Sequence, residues 1–140
     1  MHNNTKKIAV VILNWNGKKL MEEFLPSVIA HSPEELAEVV VADNGSTDAS
    51  TDMLEEKFPS VRIIQLDKNY GFAEGYNQAL EQIDNKYTVL LNSDVEVTPG
   101  WLDAPLAALE ADPTIVAAQP KIRAQRNKAY FEYAGAAGGY

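Results

Sequence analysis

The sequence predicts an α/β fold with a mostly parallel sheet and helices on both of its faces. Short apolar runs rich in β-branched residues alternate with segments whose apolar residues recur at helical spacing. Such alternation favours right-handed βαβ units, which place successive strands in parallel. Each of the first four predicted strands ends in polar residues, which we expect to lie along one edge of the sheet.

The periodicity also predicts the individual elements. The predicted strands lie at residues 8–13, 39–42, 61–66, 87–91 and 115–118. The predicted helices lie at residues 18–30, 48–57, 72–83 and 99–111. Pro26 is expected to kink or interrupt the first helix. Ser46 or Thr47 is the expected N-cap of the second helix, and Thr98 that of the fourth, with Pro99 at its first position.

Composition limits the classes of protein to which the chain can belong. At 140 residues it is one domain or part of one, so we expect a single domain over residues 1–140. The net charge of −8 disfavours a nucleic-acid partner, which requires a basic surface. The absence of cysteine excludes disulfides, zinc–thiolate sites and a cysteine nucleophile. The apolar run at residues 8–13 is too short for a signal peptide or a membrane span.

Polar residues at the strand ends are the candidate binding residues. They are Asn14 and Asn16 after the first strand, Asp43 and Asn44 after the second, Asn69 after the third, and Asn92 and Asp94 after the fourth. Because the carboxyl ends of parallel strands share one edge of a sheet, we expect a binding cleft there. The fingerprints of dinucleotide-binding and P-loop proteins are absent, which disfavours both classes.

Asp43 directly follows a predicted buried strand, where its carboxylate can accept N–H groups of a nucleobase or ribose hydroxyls. A hydrogen bond to a charged group contributes about 1.5–3 kcal/mol. The alternative is that Asp43 caps the turn through Gly45 and Ser46. The segment from Asn69 to Gly71 has the same two interpretations, a close backbone approach to a ligand or a plain turn before a helix.

The segment Asn92-Ser93-Asp94 follows an apolar run that predicts a strand buried on both faces. Side-chain oxygens of an Asn-x-Asp segment can hold a hard divalent cation, which in turn can hold phosphate. The alternative is an Asx turn at the strand end. The other polar strand ends on the same predicted edge favour the binding site.

Four segments of the chain then carry a family resemblance: VVILNWNG, VVVADNGSTDAS, NYGFAEGYNQAL and LLNSDVEVTPGWL. In this order and spacing they resemble family 2 glycosyltransferases, most closely the rhamnosyltransferase-like branch involved in bacterial surface polysaccharides. The resemblance covers nearly the whole chain. It implies the GT-A fold of nucleotide-diphospho-sugar transferases, incomplete at the C-terminus. It also implies inverting transfer of a sugar from a nucleotide-diphospho-sugar donor to a polysaccharide or lipid-linked acceptor.

The resemblance assigns roles to the same residues. It implies that Asp43 binds the nucleobase and that Asn14 lines the nucleotide pocket. The family's Asn-x-Gly segment, with the asparagine six residues after its glycine, falls on Asn69, Gly71 and Asn77.

The family's metal-binding Asp-x-Asp motif falls on Asn92-Ser93-Asp94, which implies Mg²⁺ or Mn²⁺. Asp94 would supply most of the ligation, because the neutral amide of Asn92 gives less charge to a metal. The family's catalytic base lies in the second half of the domain, and we expect the chain to end before it. Chemistry alone nominates Glu132 or Asp103, so the base is unassigned.

Without a base in the chain, a non-catalytic nucleotide-sugar binding module is the alternative function. The expected location is cytoplasmic. Segments beyond Tyr140 are the expected means of any attachment to the inner face of the membrane.

Overall fold

Two compact units make up the chain, Met1–Glu96 and Val97–Tyr140. The computed structural model describes residues 6–112 with their side chains and the backbone of residues 122–123 and 131–133. Its strands are β1 (Ile8–Asn14), β2 (Ala37–Asp43), β3 (Arg62–Gln65), β4 (Tyr87–Leu91), β5 (Ile122–Arg123) and β6 (Phe131–Tyr133). Its helices are α1 (Lys18–Ala30), α2 (Ser50–Lys57), α3 (Phe72–Leu80) and α4 (Asp103–Ala111). The expectation of a single domain stays a prediction, and the strand expected at residues 115–118 lies outside the described residues.

The first unit is built on a parallel sheet with the strand order β3-β2-β1-β4. β1 pairs with β2 as far as Asn14 opposite Asp43. On its other side, β1 pairs with β4 only as far as Ile12 opposite Leu91. The pairing of β1 with β4 therefore ends two residues before its pairing with β2 does.

Helices cover both faces of this sheet, as the alternation predicted. α1 and α2 connect β1 to β2 and β2 to β3 in one direction, whereas α3 leads back across the sheet to β4. Since parallel crossovers are right-handed, this reversal places α3 on the face opposite to α1 and α2. Tyr76 and Ala79 of α3 pack in one buried cluster with Ala9, Val11 and Val40 of the strands.

The reversal of strand order creates a topological switch point between β1 and β4. In open α/β sheets, ligands bind outside the carboxyl ends of the strands at such a point. The fold therefore places a crevice between the residues that follow Asn14 and those that follow Leu91.

Helix α2 does not begin as the sequence predicted. It begins at Ser50, and its N-cap is Ala49 with φ 64°, which makes no side-chain cap hydrogen bond, so the assignment of the cap to Ser46 or Thr47 is wrong. The Ser46 hydroxyl instead accepts a hydrogen bond from Asn14, because the turn after β2 folds back toward β1.

Helix α4 also begins later than predicted, at Asp103. The N–H of Trp101 donates to the carbonyl of Thr98 at 3.2 Å. Gly100 has φ 76°, which is the conformation required at the third position of a type II turn with proline at the second. Thr98 and Pro99 thus build a β-turn instead of a helix start.

Pro26 lies inside α1 and does not interrupt it. Proline removes the N–H that would bond to the carbonyl of Glu22. Pro26 is exposed, so water can reach that side of the helix, while the buried face is held by Met21, Leu25 and Val28. Packing of the apolar face outweighs the loss of one backbone hydrogen bond.

The prediction that β4 is buried on both faces is wrong. Thr88 and Leu90 are exposed, with Leu90 at 52%, whereas Leu91 is buried. β4 is the outer strand of the described sheet, and α3 packs against β1 and β2. The face that carries Thr88 and Leu90 is therefore uncovered, which a run of apolar residues cannot indicate.

The two neighbouring leucines of β4 provide a matched test of this burial pattern. We expect Leu91→Ala to lower the free energy of unfolding by about 2–5 kcal/mol, since it removes a buried side chain. Leu90→Ala should cost less than about 1 kcal/mol, because its side chain already contacts water. Urea denaturation of both variants measures the difference, and equal losses would contradict the exposed face.

Candidate functional site

A buried hydrogen bond joins the ends of β1 and β2. Asn14 and Asp43 are 0% and 1% exposed, and the Asn14 Nδ2 donates to Asp43 Oδ1 at 2.9 Å. The same nitrogen donates to Ser46 Oγ at 3.1 Å, and Asn14 Oδ1 accepts the N–H of Gly17 at 3.0 Å. A Cβ at Gly17 would lie 2.6 Å from that oxygen, so only glycine fits here. One amide side chain thereby ties β1, the turn after β2 and the start of α1 together.

The Asp43 carboxylate is the charged centre of this network. Besides the bond from Asn14, its Oδ2 accepts the Ser46 N–H and the Gln65 Nε2, both at 3.0 Å. Burial raises the pKa of Asp43, but the hydrogen bonds from Ser46, Gln65 and Asn14 outweigh it and hold the pKa below its ordinary value of 3.8. Asp43 is therefore an ionised, buried carboxylate at neutral pH.

Asn44 holds the loop that follows β3. Its Nδ2 donates to Asn69 Oδ1 at 3.2 Å and to the Gly71 carbonyl at 3.1 Å, and its Oδ1 accepts the Tyr70 N–H at 3.0 Å. Its own N–H donates to the Asn14 carbonyl at 2.7 Å. Asn44 is 3% exposed, so its amide is occupied in shaping the loop.

The loop itself turns at Gly71, where φ is 83° and ψ is −176°. This conformation is essentially restricted to glycine. Asn69 Oδ1 accepts the Gly71 N–H at 2.7 Å, which fixes the turn just before α3. Asn77 lies exposed on α3, six residues after Gly71.

Asn16 connects the loop after β1 to the turn after β2. It has φ 53°, its N–H donates to Ser46 Oγ at 2.9 Å, and its Oδ1 accepts the Thr47 N–H at 2.7 Å. Its side chain is thereby used within the chain, although the residue is exposed.

Asp48 joins the starts of two helices. Its Oδ2 accepts the Lys18 N–H at the beginning of α1 at 3.1 Å, and its Oδ1 accepts the Ser50 N–H at the beginning of α2 at 3.0 Å. Burial raises the pKa of Asp48, but the hydrogen bonds from Ser50 and Lys18 have a larger, opposite effect and hold the pKa below its ordinary value. The carboxylate is therefore ionised at neutral pH.

The segment after β4 adjoins the start of α1 through Ser93. Asn92 and Asp94 are exposed, and Ser93 Oγ lies 3.7 Å from the position that a Cβ of Gly17 would occupy. Within the part of the chain that is described, no three His, Cys, Asp or Glu side chains form a metal-binding group. Mg²⁺ commonly takes one or two protein carboxylates and completes its shell with phosphate and water oxygens. Asp94 with Asn92 fits that kind of shared site.

The structure thus brings most of the sequence-predicted residues to one edge, but it gives them different surroundings. Asn14, Asp43 and Asn44 are buried, and hydrogen bonds among them join the end of β1 to the end of β2. Asn92 and Asp94, in contrast, are exposed. The expected alternative, in which Asp43 caps the turn through Ser46, is present, because its Oδ2 accepts the Ser46 N–H. Sequence reasoning missed Gln65 and Asp48, which complete the network. The spacing of Ser46, three residues after Asp43, is a local turn signal, but nothing in the sequence connects Gln65 to Asp43.

The ionisation of Asp43 predicts a pH-dependent contribution to stability. At pH 7 we expect Asp43→Asn to lower the free energy of unfolding by about 1.5–3 kcal/mol, the contribution of a hydrogen bond to a charged group. Because the folded pKa lies below 3.8, the native chain loses this advantage as pH falls below about 4 and through the folded pKa. The difference between the two proteins should therefore shrink in acid, as measured by urea denaturation from pH 7 to pH 3.

The matched control for this substitution is Asp84→Asn, at an exposed carboxylate. It should change the unfolding free energy by less than about 0.5 kcal/mol. A deficit in Asp43→Asn that stays constant from pH 7 to pH 3 would rule out an ionised, hydrogen-bonded Asp43.

Comparison with known proteins identifies the family. The model of glycosyl transferase family 2 matches residues 9–135. An N-acetylglucosaminyl-diphospho-decaprenol L-rhamnosyltransferase of Mycobacterium tuberculosis is 28% identical over 130 residues, which cover 85% of this chain and 42% of the relative. The chain therefore spans less than half the length of that relative.

Solved structures show the same fold. The mannosyltransferase PcManGT from Pyrobaculum calidifontis, in complex with GDP-Man and Mn²⁺, has 25% identity and a TM-score of 0.70 over 81% of this chain and 34% of its own. TarS 1–349 from S. aureus, in complex with UDP-GlcNAc, has 27% identity and a TM-score of 0.66 over 75% of this chain and 31% of its own. The family match confirms the resemblance seen in the sequence: the chain belongs to glycosyl transferase family 2 and has the GT-A fold.

Proposed function

We propose that this chain is the donor-binding part of a glycosyltransferase. The enzyme transfers a sugar from a nucleotide-diphospho-sugar to a polysaccharide or lipid-linked acceptor, with inversion at the anomeric carbon. The observation that carries the proposal is the switch point of the strand order, where the Asp43 network lies at the ends of β1 and β2 and Asn92 and Asp94 follow β4. The named activities of the relatives, which include a rhamnosyltransferase and a mannosyltransferase, support the same reaction class.

The nucleoside end of the donor is assigned to the ends of β1, β2 and β3. A carboxylate offers about four acceptor positions. At Asp43, donors from Asn14, Ser46 and Gln65 take three of them. The Ser46 hydroxyl also hydrogen-bonds to this carboxylate, and Asp43 is 1% exposed, so an N–H of a base would take the place of one of these donors. Asn69 and Gly71 border the same edge and let the backbone approach the ligand closely.

The diphosphate end of the donor is assigned to Asn92 and Asp94. Their exposed oxygens suit a hard cation whose remaining ligands are phosphate and water oxygens, which describes Mg²⁺ or Mn²⁺. When bound, such a cation neutralises the charge that develops on the departing nucleoside diphosphate. The chain's own contribution is to present these oxygens directly after β4, on either side of Ser93, whose hydroxyl lies beside Gly17.

The acceptor hydroxyl must lose a proton to a general base during a single in-line displacement. Asp103 begins α4, and the backbone of Glu132 lies in β6, so both nominated residues belong to the second unit. The base is left unassigned. Among the described residues, no helix combines the length and the apolar character that crossing a bilayer requires. A lipid-linked acceptor would bring the reaction to the cytoplasmic face of a membrane.

Metal-dependent nucleotide binding is the first test. We expect UDP or GDP to bind at least tenfold more tightly with Mn²⁺ than with EDTA, and we expect Asp94→Asn to abolish most of that gain, because the metal loses its carboxylate. Isothermal titration of both nucleotides measures the dissociation constants. Asp84→Asn serves as the control and should retain the gain. The proposal fails if neither nucleotide binds, or if Asp94→Asn leaves the Mn²⁺ effect intact.

The stereochemical course is a second test. A single displacement inverts the anomeric centre, so an α-linked donor should give a β-linked product, which NMR of the product identifies. Retention would contradict the proposed mechanism. Donor binding without any transfer would favour the alternative function, a non-catalytic nucleotide-sugar binding module.

A further inference from the structure

An exposed side chain, that of Gln65, reaches the buried carboxylate of Asp43. Gln65 is the last residue of β3 and lies opposite Asp43 in the register of β2 and β3. Its Nε2 donates to Asp43 Oδ2 at 3.0 Å. Asp43 is 1% exposed, whereas Gln65 is exposed, and β3 is an outer strand of the described sheet. The buried charge is therefore hydrogen-bonded to a side chain that itself contacts water.

The other donors to this carboxylate are held in place by the main chain or by further hydrogen bonds. The N–H of Ser46 belongs to the turn after β2, so it cannot withdraw unless that turn changes. The Ser46 hydroxyl lies in the same turn and accepts the Asn16 N–H at 2.9 Å. Asn14 is 0% exposed, and its Nδ2 donates to the Ser46 hydroxyl as well as to Asp43. Gln65 is therefore the donor that can leave without disturbing a strand end or a turn.

The hydrogen bonds of Gln65 are also divided among several acceptors. Besides the carboxylate, its Nε2 lies 3.0 Å from the Leu66 carbonyl and 3.4 Å from the Asp43 carbonyl. Because an amide nitrogen carries two hydrogens, three acceptors share two donors. The Asp43 carbonyl keeps the Leu66 N–H, at 2.9 Å, when Gln65 leaves. Departure of Gln65 thus frees an acceptor position on Asp43 Oδ2, while that oxygen keeps the Ser46 N–H.

We propose that Gln65 is a displaceable donor, whose amide occupies the Asp43 carboxylate until an N–H of a nucleobase takes its place. The inference rests on the proposed function, which assigns the nucleoside end of the donor to this edge. The exchange keeps the buried carboxylate hydrogen-bonded before and after binding. The released amide is hydrated, because Gln65 is exposed. Binding of a nucleotide must therefore break one hydrogen bond within the chain, which lowers the affinity of the unaltered protein.

Gln65→Ala removes this internal competitor and should tighten nucleotide binding. The free protein loses a hydrogen bond that the nucleotide-bound protein has already given up, so the loss of stability in the free state becomes a gain in affinity. In the variant, water can reach the acceptor position that the amide leaves. We expect UDP or GDP to bind about three- to tenfold more tightly. Since the effect originates at the base, the factor should be the same with Mn²⁺ and with EDTA.

The matched control is Gln78→Ala, which removes another hydrogen bond from a glutamine amide to a carboxylate, that of Glu74 on α3 at 2.7 Å. It should leave the affinity for both nucleotides within about twofold of the original. Isothermal titration compares the two variants with the unaltered chain. If Gln65 only stabilises the fold, Gln65→Ala will lower the melting temperature and leave the affinity unchanged or weaker. That result would overturn the proposal, and so would a gain that appears only with Mn²⁺.

A second measurement observes the exchange itself. In ¹⁵N NMR spectra, saturation with UDP or GDP should move the side-chain amide resonances of Gln65 toward those of a hydrated glutamine. The side-chain amide of Asn14 should keep its hydrogen-bonded resonances. If nucleotides bind and the Gln65 resonances stay in place, the displacement is refuted and the proposed function stands. If neither nucleotide binds the unaltered chain or Gln65→Ala, both the proposed function and the displacement fail.

Discussion

The buried hydrogen bond between Asn14 and Asp43 is the interaction on which the rest of this edge depends. It joins the side chains of the last paired residues of β1 and β2, and each of the two residues bonds to a further element. Asn14 fixes the start of α1 through Gly17, while Asp43 organises the turn at Ser46. An unpaired carboxylate at this depth would be strongly destabilising. This edge of the sheet therefore folds only with the hydrogen-bond donors to Asp43 in place. Because the network is already formed, binding of a ligand requires little additional ordering of these side chains.

The same edge divides into two electrostatic regions. Around Asp43 the negative charge is enclosed by N–H donors from Asn14, Ser46 and Gln65. At Asp94 the carboxylate is exposed and can recruit a cation. Between them, the Tyr76 hydroxyl of α3 donates to the carbonyl of Leu91, the last residue of β4. A buried region with a hydrogen-bonded carboxylate and an exposed, anionic region thus lie on the two sides of the switch point.

Much of this arrangement could be predicted from the sequence, because periodicity and strand-end polarity are local signals. The parallel sheet, the helices on both faces and the common edge all follow from them. The exposure of Leu90 could not be predicted, since the strand order decides which strand lies outermost and which faces α3 leaves uncovered. Thr98 and Pro99 fit both a helix start and a β-turn, and only the backbone conformation of Gly100 distinguishes the two. The contacts of Gln65 and Tyr76 join residues 22 and 15 positions apart, and no local pattern encodes them.

Asp48 has a consequence for where phosphate can bind. A helix N-terminus is ordinarily an attractive place for an anion, because its free N–H groups and the helix dipole carry partial positive charge. At α1 that place is already taken by a carboxylate of the chain itself, which accepts the Lys18 N–H. The N-terminus of α1 therefore cannot offer its partial positive charge to the diphosphate of the proposed donor, in a chain whose net charge is −8. Occupancy of this helix end by Asp48 therefore increases the need for positive charge elsewhere, which a divalent cation at Asp94 would help to supply.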